Sequence, residues 1–202
     1  MPGTRWNRRR LSSAAVYLYD SSLPVRQRLK QATEPAHVSL EARIGPLATQ
    51  TAYNEYLRGL YAFRSVTEDW LSTHGAKEIG TWTPQNIASY LHEDINDLDL
   101  TPLSVSPVSW ASQANESFAM GVHWVLEGSA LGARVLYKQV EALGLNRDYG
   151  ARHLWAQAQT LESWRGFLTV LSDHKSDEDA LIAGANAAFK AAAGAMERAA
   201  NV

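Results

Sequence analysis

Apolar positions along this chain recur at steps of three and four rather than two, and that spacing persists through most of its length. In VRQRLKQATEPAHVSLEARI, which begins at Val25, the residues Leu29, Ala32, Ala36, Leu40 and Ile44 fall on one helical face. Pro35 lies inside this segment and predicts a kink or a restart, because proline has no amide hydrogen to give. The next segment, AYNEYLRGLYAFRSVTEDWLSTHG, carries Tyr53, Leu57, Leu60, Tyr61, Phe63 and Trp70 and stops at Gly75. A loop, KEIGTWTPQ, then leads to a shorter helix in NIASYLHEDINDLDL, with Thr83 as its N-cap and Pro84 at the first helical position.

TPLSVSPVSW, rich in proline and serine, reads as a connection. After it come a long helix, SQANESFAMGVHWVLEGSALGARVLYKQVEAL, and a further helical stretch, DYGARHLWAQAQTLESWRGFLTVLSD. The alanine-rich DEDALIAGANAAFKAAAGAMERAA closes the chain, and its acidic first turn after Ser176 suits a helix N-terminus. Strand-like alternation is nearly absent. The pattern predicts an all-α, single-domain protein of about six to eight helices.

Residues 1–24 stand apart as a basic, loosely held extension, and 25–202 form the helical domain. RWNRRR followed by LSSAAVYLY superficially resembles an export signal. The apolar run is short, holds two serines and ends at Asp20 without a small-residue cleavage site, so an extension is the better reading. No run of about 18 apolar residues exists that would suit a membrane-spanning helix.

Composition narrows the chemistry further. The 202 residues carry a net charge of −2, which gives no overall pull toward nucleic acid. There is no cysteine, so disulfides, thiolate metal sites and cysteine nucleophiles are excluded. A reducing cytoplasm is compatible with that absence and is the expected location. The six histidines, His37, His74, His92, His123, His153 and His174, therefore become the first candidates. His37 lies among apolar neighbours in the first long helix. It reads as a buried histidine satisfied by a hydrogen bond, as a simply half-exposed one, or as an axial metal ligand through neutral imidazole.

One stretch of the long helix, WVLEGSALGARVLYK, holds Gly128 and Gly132 one turn apart. Each interior glycine costs a helix about 1 kcal/mol relative to alanine. Such a pair serves close packing of another helix, or it clears space for a large planar ligand and lets the helix bend. A macrocycle would need an axial nitrogen on one side and a low wall on the other. His37 and the glycine pair supply that combination.

LKQATEPAHVSLE, residues 29–41, resembles the proximal helix of the haem oxygenases, and VLEGSALGARVL, residues 125–136, is similar to their glycine-containing distal helix, above all in the bacterial, phytochrome-associated forms. AYNEYLRGLYAF resembles their second helix, so the likeness covers most of residues 25–170. The resemblance implies a haem-oxygenase-like multi-helical bundle. It makes His37 the axial haem-iron ligand and brings Gly128, Ser129 and Gly132 over the opposite face. Ser129 stands where many members have an aspartate that orders distal water. Lys30 matches a basic position toward the haem propionates, and Arg165 in LESWRGFL resembles a second. The implied reaction is O₂- and reductant-dependent opening of haem to biliverdin, iron and carbon monoxide, with haem as both substrate and cofactor. Electrons would come from an external donor, a ferredoxin, flavodoxin or reductase, because no flavin or nicotinamide motif is present. A bilin-accepting phytochrome is a further implied partner; nucleic acid and membrane are not.

Two rival readings use the same architecture. One is a haem carrier or sensor without turnover. The other is a non-haem di-iron oxidase: Glu34 and His37 in EPAH fit the Glu-x-x-His spacing of such sites, and His123 and Glu127 lie one turn apart. A second Glu-x-x-His is missing. Relatives of the fold that degrade thiamin commonly use a cysteine, which this chain lacks.

Overall fold

The computed structural model describes residues 23–75, 82–110, 115–173, 175 and 177–202. The expected extension at 1–24 therefore falls largely outside the described residues, whereas the acidic start expected after Ser176 is present, with Glu178 and Asp179 in the first turn of the last helix. Among these residues there are eight helices: α1 (Val25–Ile44), α2 (Gln50–His74), α3 (Ala88–Asp97), α4 (Glu116–Gly128), α5 (Ala130–Glu141), α6 (Arg152–Ala158), α7 (Leu161–Asp173) and α8 (Glu178–Ala199). There is no β-strand among them; isolated bridges pair Asn146 with Tyr149 and Gly150. The all-α expectation holds.

Local chemistry explains most of the helix ends. Thr49 caps α2 by accepting from the Ala52 amide, Asn115 caps α4 through Phe118, and Asp177 caps α8 through Ala180. Gly45 ends α1 at φ 62°, a conformation that costs glycine little, and its amide returns to the Glu41 carbonyl at 2.9 Å. α2 stops at Gly75, as the sequence predicts.

Three expectations are corrected. α1 continues through Pro35 as one helix and does not restart. α1 is anchored independently on both sides of the proline, with Leu29 and Thr33 buried before it and Ala36 and Leu40 packed against the core after it. Second, α3 begins at Ala88, not Pro84, and Thr83 does not cap it. The Glu68 carboxylate from α2 accepts instead from the amides of Ile87 and Ala88, each at 3.0 Å. A buried tertiary carboxylate thus replaces the local cap. Third, two segments expected to be continuous are broken, one at Ser129 and one at Thr160.

The core lies in two neighbouring clusters. The first gathers Trp70, Trp82, Phe118, Met120, Phe167, Leu181 and Phe189 around α4 and α8. The second joins α2, α3, α5 and α6 through Tyr53, Leu57, Leu91, Ile95, Val140 and Leu154. Asp94 ties α3 to α6: one carboxylate caps the amides of Arg152 (2.9 Å) and His153 (3.1 Å) and bonds His153 Nδ1 at 2.7 Å.

Candidate functional site

α1 carries two of the expected residues. Because the helix is unbroken, Lys30 and His37 lie two turns apart on one face, and both are exposed. The His37 side chain is 51% exposed, and its Nδ1 lies 3.6 Å from Glu41 Oε2. That is beyond hydrogen-bond length, and it places a carboxylate on the Nδ1 side of the ring, where metal-ligating histidines commonly have an acceptor. The ring stands edge-on to Phe189 of α8, at 5.9 Å and 88°. Val38 beside it is exposed as well.

The glycine pair lies at the α4–α5 break. A Cβ added at Gly132 would meet nothing within 4 Å, and one at Gly128 would only touch the Trp164 ring at 3.7 Å. Neither glycine is filled by a neighbouring helix, so the packing explanation for the pair fails. Leu131 and Val135, at helical steps from the glycines, are 53% and 61% exposed. The result is an open apolar face with no side chain over Gly132 among the described residues.

Sequence order does not reveal how the break is built. Ser129 Oγ donates back to the Leu126 carbonyl at 2.7 Å, and the Arg64 guanidinium approaches the same carbonyl at 3.4 Å. Beyond it, the Gly132 amide reaches only three residues back, to the Ser129 carbonyl at 3.2 Å. Hydroxyl back-bonding of this kind bends helices. Gln157 on α6 donates from Nε2 to Ser129 Oγ at 2.8 Å. Sequence reasoning passed over Gln157, since nothing in its local pattern separates it from an ordinary helical glutamine.

α7 connects the two halves. It packs on α1, α4 and α5, and its Trp164 is the ring beside Gly128. Arg165 follows on the same helix with an exposed side chain. Neither Arg165 nor Lys30 forms an ion pair among the described residues.

No family model matches the chain. It is 29% identical over 185 residues to heme oxygenase PigA of Pseudomonas aeruginosa, an alignment covering 85% of this chain and 91% of that protein. The NO- and CO-bound heme oxygenase from Neisseria meningitidis superposes with a TM-score of 0.70 at 22% identity, covering 90% of this chain and 94% of that one. The chain has the haem oxygenase fold. The sequence likeness read from the two motifs extends with it over most of the length.

Within the haem oxygenase fold, a buried polar cluster lies beneath the break. Arg64, 1% exposed, binds Glu68 at 2.7 Å and the Gln85 carbonyl at 2.7 Å. Glu127 accepts from the Gln85 amide and from Ser163 Oγ, each at 2.9 Å. Burial raises the Glu127 pKa above the usual carboxylate range, although these hydrogen bonds and Arg64 oppose the shift. His123 is buried beside it, edge-on to Trp82 at 5.0 Å. Burial first, then the Arg64 charge, push its pKa down to about 3, so it is neutral at ordinary pH. Among the described residues no group of three His, Asp or Glu side chains could hold a metal ion. Glu127 is part of this hydrogen-bonded cluster, while neither ring nitrogen of His123 has a hydrogen-bond partner among the described residues, and the di-iron reading gains no support. No helix among the described residues is long and apolar enough to cross a membrane.

Proposed function

We propose that this chain is a haem oxygenase that opens haem to biliverdin, iron and carbon monoxide with O₂ and an external electron donor. The observation that carries the reading is the open face at Gly132, where a Cβ would meet nothing, flanked by the exposed Leu131 and Val135. α5 buries Ala133, Tyr137 and Val140 on its opposite face, and an exposed face that is apolar and carries a glycine suits a flat apolar ligand. His37, with Glu41 near Nδ1, is the axial ligand in this reading. Lys30 and Arg165 take the propionates. Gly128 and Gly132 leave room beside the iron for O₂, and Ser129 shapes the same wall. Haem, once bound, supplies the iron at which O₂ is activated and the ring that is cut. A ferredoxin, flavodoxin or reductase provides electrons, and a bilin-accepting phytochrome is a fitting consumer of the product.

The test is to titrate the purified protein with hemin, then add a mild reductant in air and follow the spectrum. A Soret band that saturates at one equivalent and decays into a broad red-absorbing bilin spectrum is the expected result. One observation favours a second reading, a haem carrier or sensor: the Ser129 hydroxyl hydrogen is committed to the Leu126 carbonyl. A Soret band that saturates and persists would establish that reading. No specific hemin uptake would overturn both.

A further inference from the structure

The hydrogen bonds around Ser129 have a fixed direction. A backbone carbonyl can only accept, so at 2.7 Å from the Leu126 oxygen the Ser129 hydroxyl must be the donor. Its single hydrogen is then spent. The group of Gln157 that lies 2.8 Å from Oγ must therefore be the NH₂ end, donating into a hydroxyl lone pair. Gln157 is only 3% exposed, so its side of this bond is not easily exchanged for a solvent one, although Ser129 itself is exposed. The chain Gln157 to Ser129 to Leu126 runs one way, and each bond polarises the next.

We infer that Gln157 is a positioning residue for the wall over the haem: it holds the Ser129 hydroxyl turned back into α4, away from the face that Gly132 opens. This rests on the haem reading above and deepens it. The consequence concerns polarity. With the lock in place, Ser129 offers no hydrogen to a diatomic ligand over Gly132, although it is the nearest side-chain hydroxyl in sequence. Without the lock, only the Leu126 carbonyl holds the hydroxyl hydrogen, and the hydroxyl can turn from it and donate to a ligand. Gln157 comes from α6, whose first amides Asp94 of α3 caps, so the helix that carries the lock is tied to α3.

The C–O stretching frequency of the ferrous carbon monoxide complex reads this directly, because a hydrogen donor near the bound CO lowers it. Wild type, Gln157→Met, Ser129→Ala and the double variant are loaded with hemin, reduced under CO and compared, with melting curves of the unloaded proteins as a check on folding. Gln157→Met is expected to lower the frequency. Ser129→Ala should leave it at the wild-type value, and the double variant should match Ser129→Ala. A purely structural glutamine would change the melting temperature and leave the band in place. An unshifted band in Gln157→Met, or a downward shift that survives in the double variant, overturns the inference. Where Gln157→Met does not fold, Ser129→Ala decides alone: a raised frequency means the hydroxyl already faces the ligand, which is the opposite of the proposal. Hemin uptake by wild type separates the two levels, since a protein that takes up no hemin refutes the haem reading and this inference together.

Discussion

Gly121 on α4 and Gly184 on α8 form a reciprocal close crossing: a Cβ on Gly121 would overlap the Leu181 carbonyl oxygen, and one on Gly184 would overlap the Phe118 carbonyl oxygen. Backbone meets backbone there with no flexible side chain able to yield. This chain thus uses glycine in two distinct ways. Gly121 and Gly184 permit helix packing, whereas Gly132 leaves a face uncovered and Gly128 lies at ordinary contact distance from the Trp164 ring.

That contrast gives opposite outcomes for the same substitution. Gly121→Ala or Gly184→Ala should destabilise the fold by about 3 kcal/mol or more, since whole helices must move apart. Gly132→Ala should leave stability unchanged or raise it by up to about 1 kcal/mol, because the added methyl touches nothing and alanine favours the helix. Denaturant melts of the three unloaded variants check this. Gly132→Leu should keep the melt and weaken hemin binding by about tenfold or more, equivalent to 1.4 kcal/mol. A Gly132→Leu protein that binds hemin like wild type would mean the open face is not the ligand face.

His37 is half in solvent, so the fold should hardly notice its loss. His37→Ala is expected to change unfolding free energy by no more than about 0.5 kcal/mol. The hemin complex should nevertheless lose the spectrum of an imidazole-ligated haem, and added imidazole should restore it. Titrating the variant with hemin, with and without imidazole, makes the comparison. A wild-type-like spectrum in His37→Ala would remove His37 as the ligand.

Much of this fold was legible because helices that bury one face repeat apolar residues at a fixed step. α2 shows this most clearly, with Tyr53, Leu57, Phe63 and Trp70 all buried and a glycine stop where expected. The likeness to haem oxygenases drawn from residues 29–41 and 125–136 agrees with the fold. The parts that could not be read depend on partners distant in the chain. Thr83 and Pro84 have the right local chemistry for a helix start, yet Glu68 supplies a stronger cap four residues later. The break at Ser129 needs Arg64 from α2 and Gln157 from α6, and no window of sequence around Gly128 contains either. Periodicity reports which face is buried; it does not report what hydrogen-bonds across the gap.

Acid should destabilise the unloaded protein through His123. In the unfolded chain its pKa is near 6.5, while in the fold burial holds it at about 3. Below pH 6.5 the unfolded state therefore binds the extra proton, and stability present above that pH is lost as pH falls toward 3, by about 1.4 kcal/mol per unit. Glu127 works the other way. Its folded pKa is raised, so protonation on acidification favours the fold above the ordinary glutamate range. A difference measurement isolates the histidine. Unfolding free energies of wild type and His123→Leu, taken from pH 7.5 to 5, should diverge below 6.5, with the variant falling less steeply. Parallel curves would mean that His123 is charged in the fold or satisfied there.

The clamp formed by Glu68 makes the final case, because it links the α2–α3 junction to the wall over the site. One carboxylate holds the Arg64 guanidinium at 2.7 Å and the amides of Ile87 and Ala88 at 3.0 Å. Arg64 in turn reaches the Gln85 and Leu126 carbonyls. Glu68→Gln removes the negative charge and leaves a nearly fully buried guanidinium without its partner, a change that costs about 3–5 kcal/mol when a buried pair is broken. The neutral amide still accepts one hydrogen bond, so the expected loss lies toward the lower end of that range. α3 should lose amide protection before α2 does, since its first turn depends on this carboxylate while α2 has its own cap at Thr49. Arg64 also borders the break at Leu126, so the disturbance should extend to the amides of Ala130 to Gly132. Native-state hydrogen exchange on the unloaded protein tests both parts. If α3 stays protected in Glu68→Gln, the start of that helix is set by its own sequence after all, and the tertiary cap is an accompaniment.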